Sequence, residues 1–256
     1  MLKKIFFVSA SAILFACSST QVPDTTPAPV SELNQPLNII MVVADGMGPA
    51  FTSAYKYYQD NASTPELEAT WFDRHHVGMS TTFPAKVSGL VTDSAASATA
   101  LAAGVKSYNG AIGMDVDKIP VRTVLHAAKA KGMKTGLAVT SQIVHATPAA
   151  YIAHNESRRN YDAIADQYFD LRYQDDFWVD VMLGGGTAYF DREDRNLAQE
   201  FIDAGYAYVT EYNALAQIEE PSRVLGLFAE KGLPWALDDP QPQRLRTLTE
   251  HALKHL

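Results

Sequence analysis

From residue 37 onward the chain alternates between short apolar runs and longer segments whose apolar positions recur every three or four residues. The first run, 37–44, is rich in branched side chains and has the pattern of a strand buried on both faces in a parallel sheet. Asp45-Gly46-Met47-Gly48-Pro49 ends it sharply. Proline in a first turn then predicts a helix over 49–59. An alanine-rich run from Ala95 to Ala103 predicts a short helix with Ser94 at its mouth. Further helices are predicted over 121–131, stopped by Gly132, over 148–154, over 161–173, and over 193–204 up to Gly205. Strands are predicted over 135–140 and 179–183. In the last segment, 243–256, Leu245, Leu248, Ala252 and Leu253 stand at helical spacing. This alternation implies an α/β fold, layered, with a mostly parallel central sheet flanked by helices. Ligands in such sheets collect beyond the carboxyl ends of strands, where Asp45 and the loop starting near Gln142 are expected to fall.

The start of the chain is of a different kind. Residues 1–16 read as a secretory signal: Lys3-Lys4 give the positive end, and the apolar stretch 5–15 is too short to span a bilayer by itself. Leu14-Phe15-Ala16-Cys17 resembles a bacterial lipobox, and Cys17 is the single cysteine of the sequence. Lipidation at Cys17 would anchor the protein to a membrane and leave no thiol for a disulfide. Residues 17–36, rich in Ser, Thr and Pro, read as a flexible tether, and 37–256 as the folded part. The expected location is extracytoplasmic, on the periplasmic face of a bacterial membrane. Beside a lipobox, the sequons at Asn61 and Asn155 read as chance.

Charge narrows the partners. A net charge of -8 with no basic cluster past Lys3-Lys4 argues against nucleic acid. It does not attract anions either, so a phosphate site must be made by local charge and metal.

The candidate chemistry centres on Thr92-Asp93-Ser94-Ala95-Ala96-Ser97-Ala98-Thr99-Ala100, continuing into Gly104-Val105-Lys106-Ser107-Tyr108-Asn109-Gly110. A hydroxyl at a helix mouth sits among unpaired backbone N–H donors, which suit a phosphate oxygen. Capping alone would account for Thr92, Asp93 or Ser94, but not for so many small residues in succession, which permit close approach. Ser94 needs a base or a metal to become a nucleophile, and no Gly-x-Ser-x-Gly elbow surrounds it. Metal activation is the better account. Asp45 is a carboxylate at the tip of an apolar run, although Asp before Gly is commonly a turn residue. His145 and Thr147, two apart, can turn toward one ion only in a non-helical conformation; otherwise they are a surface histidine and a cap before Pro148. Gly184-Gly185-Gly186 lacks the Lys and Ser/Thr of a nucleotide loop and reads as a backbone bend. His75, His76, His126, His154, His251 and His255 show no ligand spacing and read as solvated or packed, with a solvent face for the last two.

Four stretches in register carry a resemblance to the alkaline phosphatase family. They are Val42-Val43-Ala44-Asp45-Gly46-Met47-Gly48, the Ser94 segment, His145-Ala146-Thr147-Pro148-Ala149-Ala150 through Ser157-Arg158, and Asp180-Val181-Met182-Leu183-Gly184-Gly185-Gly186. The resemblance implies a metal-dependent phosphate monoester hydrolase with two zinc ions and one magnesium in the full-length enzyme. Ser94 would form a phosphoserine and bind one zinc, and Asp45 would bridge a zinc and the magnesium. Thr147 would ligate the magnesium directly and His145 directly or through water. Some bacterial members have Asp at the His145 position, and imidazole suits zinc better than magnesium. Arg158 would clamp the nonbridging phosphoryl oxygens, held in place by Asp93. Phosphate monoesters are the implied substrates, and a homodimer is admitted. The family places its remaining ligands in a second half, and none of them follows Arg158. The chain is therefore expected to be the amino-terminal part of such an enzyme, a reading that does not support activity of the 256 residues alone. The alternative is a non-catalytic lipoprotein of the same fold that binds phosphate or a partner.

Overall fold

The computed structural model describes residues 38–220, 222–239 and 243–256. It divides into a short unit, 1–43, and a main unit, 44–256. The expected signal and tether, Cys17 included, lie outside the described residues. In the short unit, residues 38–43 have no regular secondary structure, and Ile39, Ile40, Met41 and Val42 are exposed. The strand expected over 37–44 is therefore not formed across its described part. An apolar run states a need for burial but does not name the ladder partner, which is a long-range choice.

In chain order the main unit contains α1 (Pro49–Gln59), α2 (Trp71–His75), α3 (Ser94–Ala103), α4 (Val124–Ala130), β1 (Gly136–Gln142), α5 (Ala146–Ala149) and α6 (Tyr161–Asp170). There follow β2 (Arg172–Tyr173), β3 (Asp176–Phe177), β4 (Val181–Gly185), α7 (Thr187–Phe190), α8 (Leu197–Asp203), β5 (Ala207–Val209), β6 (Val224–Leu227) and α9 (Arg244–His255). Where helix ends differ from the sequence reading, a local competitor explains it. The helix expected over 148–154 begins at Ala146 and closes at Ala149, because proline is tolerated anywhere in a first turn and need not mark its first residue. The helix expected to reach 173 stops at Asp170, since Arg172 and Tyr173 pair with Asp176 and Phe177 across a two-residue turn. Gln174 and Asp175 hold φ of 50° and 68° there, the left-handed pair that such hairpins require. Asn196 caps α8, so the helix expected from 193 starts later; its side chain accepts from the N–H of Gln199.

Four parallel strands form the sheet in the order β1-β4-β6-β5. Both faces are buried. Met182, Leu225 and Leu227 pack with Ile164, Tyr168, Phe190 and Phe201, whereas Val181, Leu183 and Val224 pack with Leu215, Leu248 and Ala252 on the opposite side. The period of two along each strand sends neighbours to opposite layers, giving helix, sheet and helix layers. Gly184 and Gly185 are strand residues rather than a bend, and only Gly186, at φ +117°, turns. A Cβ on Gly185 would stand 1.7 Å from the Lys231 carbonyl oxygen, so the close approach there requires glycine. One charged cluster is enclosed with the core: Lys129 Nζ donates to Asp180 Oδ1 and Oδ2 at 2.9 and 3.0 Å. The Thr135 N–H adds a bond to Asp180 Oδ2 at 2.9 Å.

Candidate active site

The site is built from the mouth of α3 and the loops around it. Asp93 is the N-cap of α3: its Oδ1 accepts from the Ala96 N–H at 2.9 Å. Its Oδ2 accepts from the Gly110 N–H at 2.9 Å and from Arg158 Nη1 at 3.2 Å. One carboxylate thus caps the helix and orients the guanidinium. Ser94, the first residue of α3, donates its hydroxyl to Asp45 Oδ1 at 3.0 Å. Thr147, in α5 just beyond the carboxyl end of β1, donates to Asp45 Oδ2 at 3.2 Å. Each oxygen of Asp45 therefore receives one hydroxyl.

His145 is the N-cap of α5 but its ring caps nothing. Its Nε2 lies 3.1 Å from Arg158 Nη2. A guanidinium can only donate, so Nε2 must be the unprotonated nitrogen of a neutral ring. Burial and then the Arg158 charge push this imidazole below its ordinary pKa, against the opposing pull of Asp45. The neutral tautomer and the electrostatics agree.

Hydrogen bonds bring together Asp45, Ser94 and Thr147 in one group and Asp93, Arg158 and His145 in a second, and Asp93 joins them through the peptide bond to Ser94. One expectation about placement is corrected. Asp45 does not end a strand; it sits in a turn in which Met47 N–H donates to the Ala44 carbonyl at 3.3 Å, with Gly46 at φ +71°. A second correction concerns α9: His255 is buried, its Nδ1 accepting from the Ser222 N–H at 3.2 Å, because it faces the sheet side of the helix. His126 is packed inside and His75 stacks on Trp71, as solvated or packed histidines should. Two residues of the site, Asn109 and Gly110, fall within the stretch quoted from the sequence but have no role assigned to them there.

The donor set fits one class of metal better than another. Asp45, Ser94 and Thr147 offer hard oxygens converging from one turn and two helix starts, which suit magnesium or a similar divalent cation. His145 is turned to Arg158 instead. Among the described residues no group of three or more His, Cys, Asp or Glu is arranged to hold a metal ion. A pair of zinc ions is not provided for by these side chains.

A three-layer α/β unit with a parallel sheet, bearing its polar cluster in loops beyond a strand end and at a helix mouth, is the class that fold and site define. Residues 37–256 match the family model for alkaline phosphatase, and the chain belongs to that family. It is 45% identical over 252 residues to alkaline phosphatase 3 of Bacillus subtilis (strain 168), a match covering 97% of this chain and 54% of the relative. The crystal structure of a cold-active alkaline phosphatase from a psychrophilic Shewanella sp. superposes with a TM-score of 0.75 at 54% identity, covering 83% of this chain and 51% of that one. A mutant of the alkaline phosphatase of the Antarctic bacterium TAB5, with Mg bound in its M3 site, gives 0.68 at 26% identity over 83% of this chain and 58% of that one. The chain spans about half the length of the relatives it matches.

Proposed function

We propose that this chain carries the nucleophile and phosphate-clamping part of a metal-dependent phosphate monoester hydrolase. The observation that carries this reading is the position of the Ser94 hydroxyl, 3.0 Å from Asp45 Oδ1 at the mouth of α3, one residue after the aspartate that holds Arg158. In this reading the substrate phosphoryl group rests against the α3 N–H groups and the Arg158 guanidinium, whose fork matches two nonbridging oxygens. Ser94 Oγ attacks phosphorus in line; the bond to the ester oxygen breaks, and the leaving alkoxide takes up a proton. Water then attacks the phosphoserine, releasing inorganic phosphate and restoring the hydroxyl. A divalent ion held by Asp45, Thr147 and Ser94 would supply positive charge and lower the hydroxyl's pKa. Asp93 keeps Arg158 aimed, and neutral His145 accepts from its second amino group without adding positive charge.

In a protein that also carries the part of the relatives this chain does not span, Ser94→Ala should abolish phosphate release from a nitrophenyl ester, and turnover by that variant would refute the assignment. A binding role without catalysis has one observation in its favour, the lack of a three-ligand cluster of His, Cys, Asp or Glu among the described residues. Zinc titration by calorimetry on this chain separates the two: weak or no binding is expected, and two tight sites would mean that it builds a full centre from other residues, which would favour catalysis over binding alone. We also propose lipid anchoring at Cys17 on the periplasmic face of a membrane. Labelled fatty acid should be incorporated by the native protein and not by Cys17→Ser.

A further inference from the structure

Asn109, half-buried in the loop after α3, has no part in the chemistry described above, yet its amide makes two opposed hydrogen bonds to the segment that leads into that helix. Oδ1 accepts from the Asp93 N–H at 3.1 Å, and Nδ2 donates to the Val91 carbonyl at 2.9 Å. A group that satisfies the N–H of one residue and the C=O of the residue two before it supplies what a neighbouring strand would give an extended segment. Residues 89–93 need it, since they belong to no helix or strand. The backbone of the same dipeptide extends the connection. Asn109 N–H donates to Ser88 Oγ at 2.9 Å, and Gly110 N–H donates to Asp93 Oδ2 at 2.9 Å. The Gly110 carbonyl accepts from the Arg158 N–H at 2.7 Å.

We propose that Asn109 is a positioning residue for Ser94. Its side-chain amide fixes the backbone of residues 91–93, and so sets where the Ser94 hydroxyl stands relative to Asp45 and Arg158. The assignment rests on the reading of Ser94 as nucleophile. Asparagine is required because one planar group must both donate and accept at this reach. Aspartate keeps the acceptor, loses the donor and places a second negative charge beside Asp93; alanine loses both bonds.

Two measurements test the role. In Asn109→Ala, hydrogen exchange in a peptide covering residues 90–94 should accelerate about tenfold or more while the interior of α3 keeps its native protection. Equal acceleration in both, or none, overturns the clasp, and this arm needs no turnover. With nitrophenyl phosphate and metal-loaded protein that also carries the part of the relatives this chain does not span, the burst rate constant of Asn109→Ala and Asn109→Asp should fall about tenfold or more at unchanged burst amplitude per folded molecule, because misplacement near 1 Å costs on the order of 10²-fold. A merely structural role would lower the amplitude and spare the rate constant. A native burst rate in Asn109→Ala, with Ser94→Ala silent, overturns the role of Asn109 and leaves the proposed function standing. Turnover in Ser94→Ala overturns that function, and the assignment of Asn109 falls with it.

Discussion

Single side chains here serve several partners, and their substitutions separate the parts. Asp93 caps α3 through one oxygen and holds Gly110 and Arg158 through the other. Asp93→Ala should lower stability by about 1 to 2 kcal/mol in urea unfolding, the range for losing a cap. Asp93→Asn keeps a capping oxygen and should recover most of that stability while losing the charge on Arg158. If both variants unfold at the same urea concentration, the cap is not what Asp93 contributes. Lys129 presents a different balance. Its ammonium sits with Asp180 where both side chains are under a tenth exposed; it also reaches Asp176 at 3.2 Å, and Asp180 also faces Arg223 Nε at 3.5 Å. Lys129→Met leaves Asp180 its weaker partner, and should cost less than the loss of about 3 to 5 kcal/mol for a fully stranded buried charge, read from the shift of the urea midpoint. These two residues also show what sequence reading sees unevenly. Asp93 was found because it adjoins a motif; Lys129 and Asp180 lie 51 residues apart, and nothing local joins them.

Elements show where local chemistry was sufficient. α1 keeps its predicted bounds, since Pro49 starts it in the sequence itself. α3 runs from the serine after its aspartate cap to Gly104 at φ +71°, as its composition required. β5 and β6 escaped because three and four residues are too few to show a period of two. α4 starts three residues later than its pattern suggested, at a capping box: Thr123 Oγ1 accepts from the His126 N–H at 3.3 Å, and His126 Nδ1 accepts from the Thr123 N–H at 3.2 Å. The box needs the imidazole neutral. Burial, and next the neighbouring His154, push the His126 pKa down to about 4. The unfolded chain takes up this proton near the ordinary value, about 6.5, and the folded chain does not. Stability from neutral His126 is therefore complete above that pH and is lost as the pH falls toward 4, by at most about 3 kcal/mol. The melting temperature should drop across this window. His126→Gln, which can close the same box without titrating, should flatten the drop; an unchanged slope would mean that other groups cause it.

Across the main unit, stability is unevenly spread. α1 and α2 contain no buried residue, whereas every residue of β4 and β6 is buried. Amides of α1 should exchange by local opening within minutes to hours, and those of β4 and β6 only through global unfolding. Equal protection in hydrogen-exchange mass spectrometry would contradict this. The same contrast bears on the site. Asp45 precedes α1, which has no buried residue, while Thr147 and His145 stand in a segment with Ala146, Pro148 and Ala149 buried, so the cluster joins a thinly packed carboxylate to a well-packed frame.

The sequence by itself determined the fold class, the principal helices and strands, and which residue types stand ready for phosphoryl chemistry, because hydrophobic period, caps and turn residues act over a few positions. Only the tertiary structure decided that Ser94 and Thr147 divide the two oxygens of Asp45, that His145 faces Arg158, and that Asn109 clasps the approach to α3. Those contacts join residues from 13 to 102 positions apart. Their distances are set by how the helix and sheet layers pack, which no local pattern encodes.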